Sequence, residues 1–291
     1  MRLSRADLLR GSLSPHPSGT GLVTQDAILG GTAVLLYAAA AILLALRLVR
    51  GSIDQLWPKS LPLAIALGAV LLHGLVLYQD LVLPDGLNLG FFNALSLVGW
   101  LAAVAVLLAS TVGPVENLGI VVLPVSASTA LLGLALPSEH VVFHAEPALK
   151  SHILLSGLAY ALLAMASVQA ILLAVQDRAL HRGQPGGFVR QLPPLVTMES
   201  LLFQMIAGGF VFLSLALLTG FLFLDDIFAQ HLVHKTVLSI TAWLVFGVLL
   251  WGRWRHGWRG RTAMRWTLSG FAALVLAYFG SKLVLELILQ R

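Results

Sequence analysis

Nine histidines and no cysteine define the chemistry open to this chain. His73 lies near the middle of a long apolar run, where an ionisable group is costly and normally faces a bundle interior or a cavity. His152 opens another apolar run directly after Glu146-Pro-Ala-Leu-Lys-Ser151. His140, His144, His152, His231 and His234 fall in or beside just two connecting segments. His140 and His144, at i and i+4, share one face if their segment is helical, and His231 and His234 at i and i+3 could do the same. Neutral imidazole ligates haem iron, zinc or copper, so a metal-type site near these segments is chemically reasonable. Spacing alone leaves this open. There is no His-Glu-x-x-His, a histidine at a helix end is ordinarily solvated, and a buried imidazole can simply bond a neighbouring helix. The lack of cysteine excludes thiol redox chemistry, cysteine-ligated metal and haem attachment through Cys-x-x-Cys-His in this polypeptide. There is also no nucleophile-base-orienter set, glycine-rich phosphate loop or pair of catalytic carboxylates on opposing spans, so no enzyme activity is expected.

The elements that must position these residues are membrane helices. The chain is 58% hydrophobic and 11% charged, with a mean hydropathy of +0.90, against roughly 25% charged residues in an ordinary soluble domain. A hydrocarbon core of about 30 Å needs about 20 apolar residues per helix. Eight such windows fit: 26–48, 61–83, 89–110, 115–136, 152–175, 200–224, 234–251 and 264–289. Only Thr111 to Pro114 separates the third from the fourth. The fold expected is an all-α polytopic bundle, a single domain over 26–291, preceded by a flexible tail over 1–25 with Ser, Gly and Pro punctuation and no cleavable signal.

Charge gives the orientation. Arg47, Arg50 and Lys59 follow the first span, Arg178, Arg182 and Arg190 the fifth, and Arg253, Arg255, Arg259, Arg261 and Arg265 the seventh. By the positive-inside rule these loops are cytoplasmic, which puts both termini and the histidine-bearing segments outside. Arg2, Arg5 and Arg10 pull the other way. The net charge of +5 matches anionic lipid headgroups, so no nucleic acid partner is called for. Lys282 and Glu286, at i and i+4, read as a structural pair, Asp225-Asp226 as a hydrated acidic pair, and Glu199 as a carboxylate placed to meet a helix amino terminus.

The run Glu146-Pro-Ala-Leu-Lys-Ser-His152, followed by Leu155-Ser-Gly-Leu-Ala-Tyr160, resembles the outer-face histidine segment of the cytochrome c assembly family, the membrane haem-handling proteins of CcsA type. His234-Lys-Thr, Ala242-Trp-Leu-Val-Phe246, Gly257-Trp-Arg-Gly-Arg261 and Leu276-Ala-Tyr-Phe-Gly280 are similar to its final helix pair, and Leu89 to Trp100 to an early helix. The resemblance covers roughly residues 27 to 291 and implies haem as cofactor, with His152 as an outer-face ligand and His73 in the place of the first transmembrane histidine. Other features depart from the pattern. Phe223 to Lys235 contains no tryptophan where the family carries a tryptophan-rich loop, Trp251 stands at the second transmembrane histidine, and no second outer-face histidine precedes Arg291, a role His231 or His234 would have to fill.

These departures resemble the HemX-like branch. The function expected is haem binding or delivery in cytochrome c assembly, in a bacterial plasma (inner) membrane, without lyase chemistry. His73 and His152 lead as haem contacts, and His234, His231 and His144 follow. The partners expected are haem, membrane lipids and other cytochrome c maturation proteins or another membrane protein. The competing classes are a non-haem membrane scaffold or regulator and a divalent-metal handling protein.

Overall fold

The computed structural model describes residues 19–50, 58–84, 86–113, 115–136, 140–143, 146–183, 186–223, 233–280 and 282–283. Among these, eight α-helices follow in order: α1 (Gly19–Arg50), α2 (Ser60–Leu81), α3 (Phe91–Val112), α4 (Glu116–Ala135), α5 (Pro147–His181), α6 (Leu195–Phe223), α7 (Val233–His256) and α8 (Gly260–Val275). Seven are long and apolar enough to cross a membrane, and α8 runs on into a π-helical turn, Leu276–Gly280. Helices are the expected solution, because hydrocarbon offers backbone groups no partner outside the segment itself.

Some helices run well past their apolar windows. Helix α1 begins at Gly19, inside the segment whose composition reads as tail, and α5 extends over 35 residues to His181. Hydropathy sees only the part of a helix that lies in lipid, whereas the hydrogen-bond ladder continues into water. The third and fourth spans are separate, with α3 ending at Val112 and α4 starting at Glu116. Glu286, Asp225, Asp226 and the tail over 1–18 lie outside the described residues.

One feature is not helical. Strands β1 (Val82–Leu83), β2 (Gly86–Asn88) and β3 (Val141–Phe143) form a small antiparallel sheet at one end of the bundle. Asn88 ties it together: its Oδ1 accepts from the N–H of Gly90 at 3.2 Å and from that of His140 at 3.0 Å. The helical face expected for His140 and His144 therefore does not form, since residues 141–143 are extended. Positions i and i+4 in a strand stand about 13 Å apart rather than about 6 Å.

The core is in two parts. Helix α1 packs on α2 and α4 around Tyr37, Ala66, Ala69, Ala103 and Leu123. A larger cluster joins α3, α5, α6, α7 and α8. Helix α3 serves both, meeting α2 and α4 on one side and α5 on the other. Small residues let the helices approach. At Gly99 of α3 a Cβ would lie 2.1 Å from Thr129 Oγ1 of α4, and at Gly209 of α6 it would lie 2.7 Å from Leu163 of α5.

Ion pairs gather the basic connections at the other end. Lys59 Nζ meets Glu116 at 3.2 Å, and Arg261 meets Asp177 at 3.3 Å. Glu199 is buried there: its carboxylate accepts from Arg259 Nε at 2.9 Å and from the N–H of Gly260 at 3.1 Å, with Arg253 at 3.5 Å. It does meet a helix amino terminus, but that of α8 rather than of its own helix.

Candidate functional site

The two leading histidines occupy different surroundings. His73, on α2, is 3% exposed. Its Nε2 lies 2.8 Å from Ser96 Oγ of α3 and its Nδ1 lies 3.2 Å from Tyr37 Oη of α1, with the Tyr37 ring edge-on to the imidazole. Both ring nitrogens thus have hydroxyl partners, which satisfies the polarity of an imidazole held in a bundle interior. The cavity beside it, lined also by Asp80 and Asn93, has a volume of about 10 Å³, room for roughly one water.

His152 faces something much larger. It lines a cavity of about 570 Å³, within the roughly 300–1,000 Å³ typical of cofactor and ligand sites. The walls come from α3, α5, α6, α7 and the α8–π segment. On α5 they run from Leu149 to Tyr160, which at 1.5 Å per residue carries the chamber about 16 Å along the helix. Most of the lining is aliphatic or aromatic. No Asp or Glu contributes to it among the described residues. Polar groups are few: His152, Ser156, Tyr160, Lys235, Thr236, Ser239 and Tyr278.

The imidazole of His152 is oriented by its neighbour on α6. Its Nδ1 lies 3.1 Å from Thr219 Oγ1, and that hydroxyl sits 2.9 Å from the Leu215 carbonyl and 3.0 Å from the Ala216 carbonyl. Thr219 has a single hydroxyl proton; with that proton on one of these carbonyls, its oxygen accepts from Nδ1–H and the lone pair of His152 is left on Nε2. Ser156 Oγ, one turn along α5, reaches that nitrogen only at 3.5 Å. An imidazole whose far N–H is fixed by an acceptor, with the other nitrogen's lone pair directed elsewhere, is the usual arrangement of a metal-ligating histidine.

Another part of the wall is aromatic. Tyr160 donates to the Leu274 carbonyl at 2.6 Å, just where α8 gives way to the π turn. Its ring packs edge-on to Phe279 at 5.7 Å, and Phe279 in turn packs on Phe91 at 5.8 Å. π turns inside helices often mark functional sites, and this one presents Tyr278 and Phe279 to the chamber.

The model of the cytochrome c assembly protein family matches residues 62–289, which takes in both histidines and every residue lining the chamber. The chain belongs to the cytochrome c assembly family. It is 36% identical over 228 residues to the inner membrane protein YpjD of Escherichia coli (strain K12), covering 76% of this chain and 84% of that protein. It is 23% identical over 246 residues to the cytochrome c biogenesis protein CcsA of Microcystis aeruginosa, covering 66% and 75%. To CcsA of Rippkaea orientalis it is 26% identical over 121 residues, covering 38% and 36%. No solved structure matches the chain. This member of the cytochrome c assembly family is a multi-pass protein of the inner membrane, and its membership points to a role in cytochrome c maturation.

Of the other histidines weighed from the sequence, His144, His231 and the side chain of His234 lie outside the described residues. His140 is exposed and anchors the sheet through its backbone. Trp251, at the position aligned with a second transmembrane histidine, is 54% exposed and packs against His256 near the end of α7, far along that helix from the chamber. Among the described residues no group of three or more His, Cys, Asp or Glu could hold a metal ion. Sequence reasoning missed Thr219, Lys235 and Tyr278. Thr219 lies 67 residues from His152, and only helix packing brings the two together.

Proposed function

We propose that this protein binds haem in the chamber beside His152 and serves cytochrome c maturation as a carrier or scaffold, without bond-breaking chemistry of its own. The observation that carries this reading is a histidine, its Nδ1 held 3.1 Å from the Thr219 hydroxyl and its Nε2 no closer than 3.5 Å to Ser156 Oγ, lining an apolar chamber of about 570 Å³. The donor set fits haem: an imidazole for iron, aromatic and aliphatic walls for the porphyrin, and cationic and hydroxyl groups at one side. Haem, when bound, would supply an iron centre whose ligand is His152, while Thr219 keeps the imidazole in the ligating tautomer. Leu97, Leu213 and Leu217 exclude water from the ring.

His73 is the weaker contact of the pair. Ligation there requires its bonds to Tyr37 and Ser96 to open, and room well beyond about 10 Å³. The missing tryptophan-rich segment between α6 and α7 supports a binding role rather than a lyase role. With the basic loops inside, the chamber opens toward the outer face, where cytochrome c is matured.

The test is the absorbance spectrum of the detergent-purified protein after expression with ample haem, with a pyridine haemochrome for stoichiometry. A near-stoichiometric Soret band in the parent, lost in a folded His152→Ala variant, is the result expected. A well-folded parent that takes up no haem on reconstitution overturns the reading in favour of a non-haem scaffold.

A further inference from the structure

Helices α6 and α7 meet along two matched stripes. Phe210, Ser214, Leu217 and Phe221 stand at i, i+4, i+7 and i+11 on α6, and Thr236, Ile240, Trp243 and Gly247 at the same spacing on α7, which runs the other way. The half of this seam nearer the basic loops is closed. Trp243 stacks on Phe210 with ring centroids 5.6 Å apart and donates Nε1–H to Ser214 Oγ at 2.8 Å, and a Cβ at Gly247 would meet the Phe210 ring at 3.4 Å.

The outer half is parted. Leu217 and Phe221 on α6 and Thr236 and Ile240 on α7 continue the same stripes, and all four line the chamber. Facing the chamber exposes a side chain little, since Leu213 and Tyr160 line it at 4% and 8% exposure. Phe221 is 70% exposed and Ile240 42%, so these two stand at its rim. The surfaces beside them, Leu218 and Leu222 on α6 and Val237 and Leu244 on α7, are exposed and apolar. In a helix that crosses the membrane such a surface lies in lipid.

The two helices therefore form a V. It is joined at Trp243 and Ser214 and parted over the seven residues to Thr236 and Phe221, about 10 Å along each helix. Neither stripe carries an ionisable side chain. Such a rim offers a hydrated ligand no replacement for its water, whereas a flat apolar body already in hydrocarbon crosses it without changing solvent.

We propose that the parted half of the α6–α7 seam is a lateral entrance, and that the ligand of the chamber is a lipid-dissolved amphiphile that enters from the bilayer between Phe221 and Ile240. This rests on the haem reading above, on which the amphiphile is haem. The membrane is then the source from which the site is filled.

The absence of native cysteine makes the test clean, because a single introduced thiol can be labelled without background. Ile240→Cys puts it at the rim, and Val248→Cys puts it two turns further along the exposed surface of α7, beside the closed half of the seam. Each full-length variant is purified, left unlabelled or capped with N-cyclohexylmaleimide, and reconstituted into phosphatidylcholine vesicles. Haemin uptake and release are followed in the Soret band.

Capping at position 240 should slow uptake and release alike, by about tenfold, with the final Soret amplitude unchanged, and capping at position 248 should change neither rate. Capped Ile240→Cys that exchanges haemin at the uncapped rate overturns the proposal and leaves the haem reading intact. A lower final amplitude with unchanged rates also overturns it, because the cap then sits in the site and not in its entrance. A parent that binds no haemin overturns the haem reading, and this proposal with it. A second arm tests the source: a fluorescent maleimide at position 240 should be quenched by brominated lipid chains and not by aqueous iodide. Quenching by iodide alone would make the entrance a watery one and overturn the bilayer as the source.

Discussion

Replacing Thr219 by valine tests the site at its most specific point. The substitution keeps shape and removes one oxygen. Its cost to the fold is small, because the Thr219 hydroxyl donates only to the Leu215 and Ala216 carbonyls of its own helix, which already belong to the α-helical ladder. Its effect on His152 is larger. Without the Thr219 oxygen at 3.1 Å, Nδ1–H loses one acceptor in a half-buried setting, with only the Ala216 carbonyl left beside it. The imidazole is then free to rotate and to take the tautomer that carries its proton on Nε2, which closes that nitrogen to iron. Loss of such an orienting partner typically costs 10–100-fold in affinity, about 1.4–2.8 kcal/mol. Haemin titration of Thr219→Val should show a loss in that range, Thr219→Ser should recover most of it, and His152→Ala should remove specific binding. All three should unfold within a few degrees of the parent. If Thr219→Val binds haemin as the parent does while His152→Ala does not, the tautomer argument is wrong. If His152→Ala binds as the parent does, the site is wrong.

Three further outcomes follow from the packing. His73→Ala strands the buried hydroxyls of Tyr37 and Ser96, so thermal unfolding in detergent should show a loss of about 1–3 kcal/mol with haemin affinity unchanged. Glu199→Ala removes the acceptor shared by Arg253, Arg259 and the Gly260 N–H; with Arg259 54% exposed on its side chain, the loss should be about 2 kcal/mol, read as faster proteolysis of the connection between α7 and α8. Gly99→Ala drives a Cβ into Thr129 Oγ1 and should lower the unfolding temperature by the equivalent of about 1–3 kcal/mol, with Thr129→Ala in the same chain restoring most of it.

What could be read from the sequence divides along the range of the forces involved. Apolar run length is set by membrane thickness, so the presence of each of the seven membrane-length helices was legible, though not its ends, as was the turn between α3 and α4. The sheet was not. Its strands are two or three residues long, and their pairing depends on Asn88 meeting His140 across 52 residues. The chamber was half legible: His152 stands out as a histidine at a helix start, but Thr219 is an ordinary polar residue within α6. Lys235 is a single lysine beside His234 at the edge of an apolar window. Their meaning comes only when α5, α6, α7 and the π turn close around one space.

The separation of His73 from His152 carries a consequence for the whole bundle. Tyr37, the partner on His73 Nδ1, belongs to α1, a helix that lies before the stretch matched by the family, residues 62–289. Ser96, the partner on Nε2, belongs to α3, the helix that touches both halves of the core and lends Leu97 and Val98 to the chamber. His73 therefore fastens the added helix to the central one, and Leu97, the residue next to Ser96, already belongs to the chamber wall. A single α3 carries both tasks on different faces: Ser96 toward His73, Leu97 and Val98 toward the space beside His152. Breaking the hub should thus loosen α1 before it disturbs the chamber. A Tyr37→Phe variant should show raised hydrogen exchange across α1 while its haemin spectrum stays that of the parent. Equal loosening of α1 and loss of haemin would mean that the two cavities act as one site.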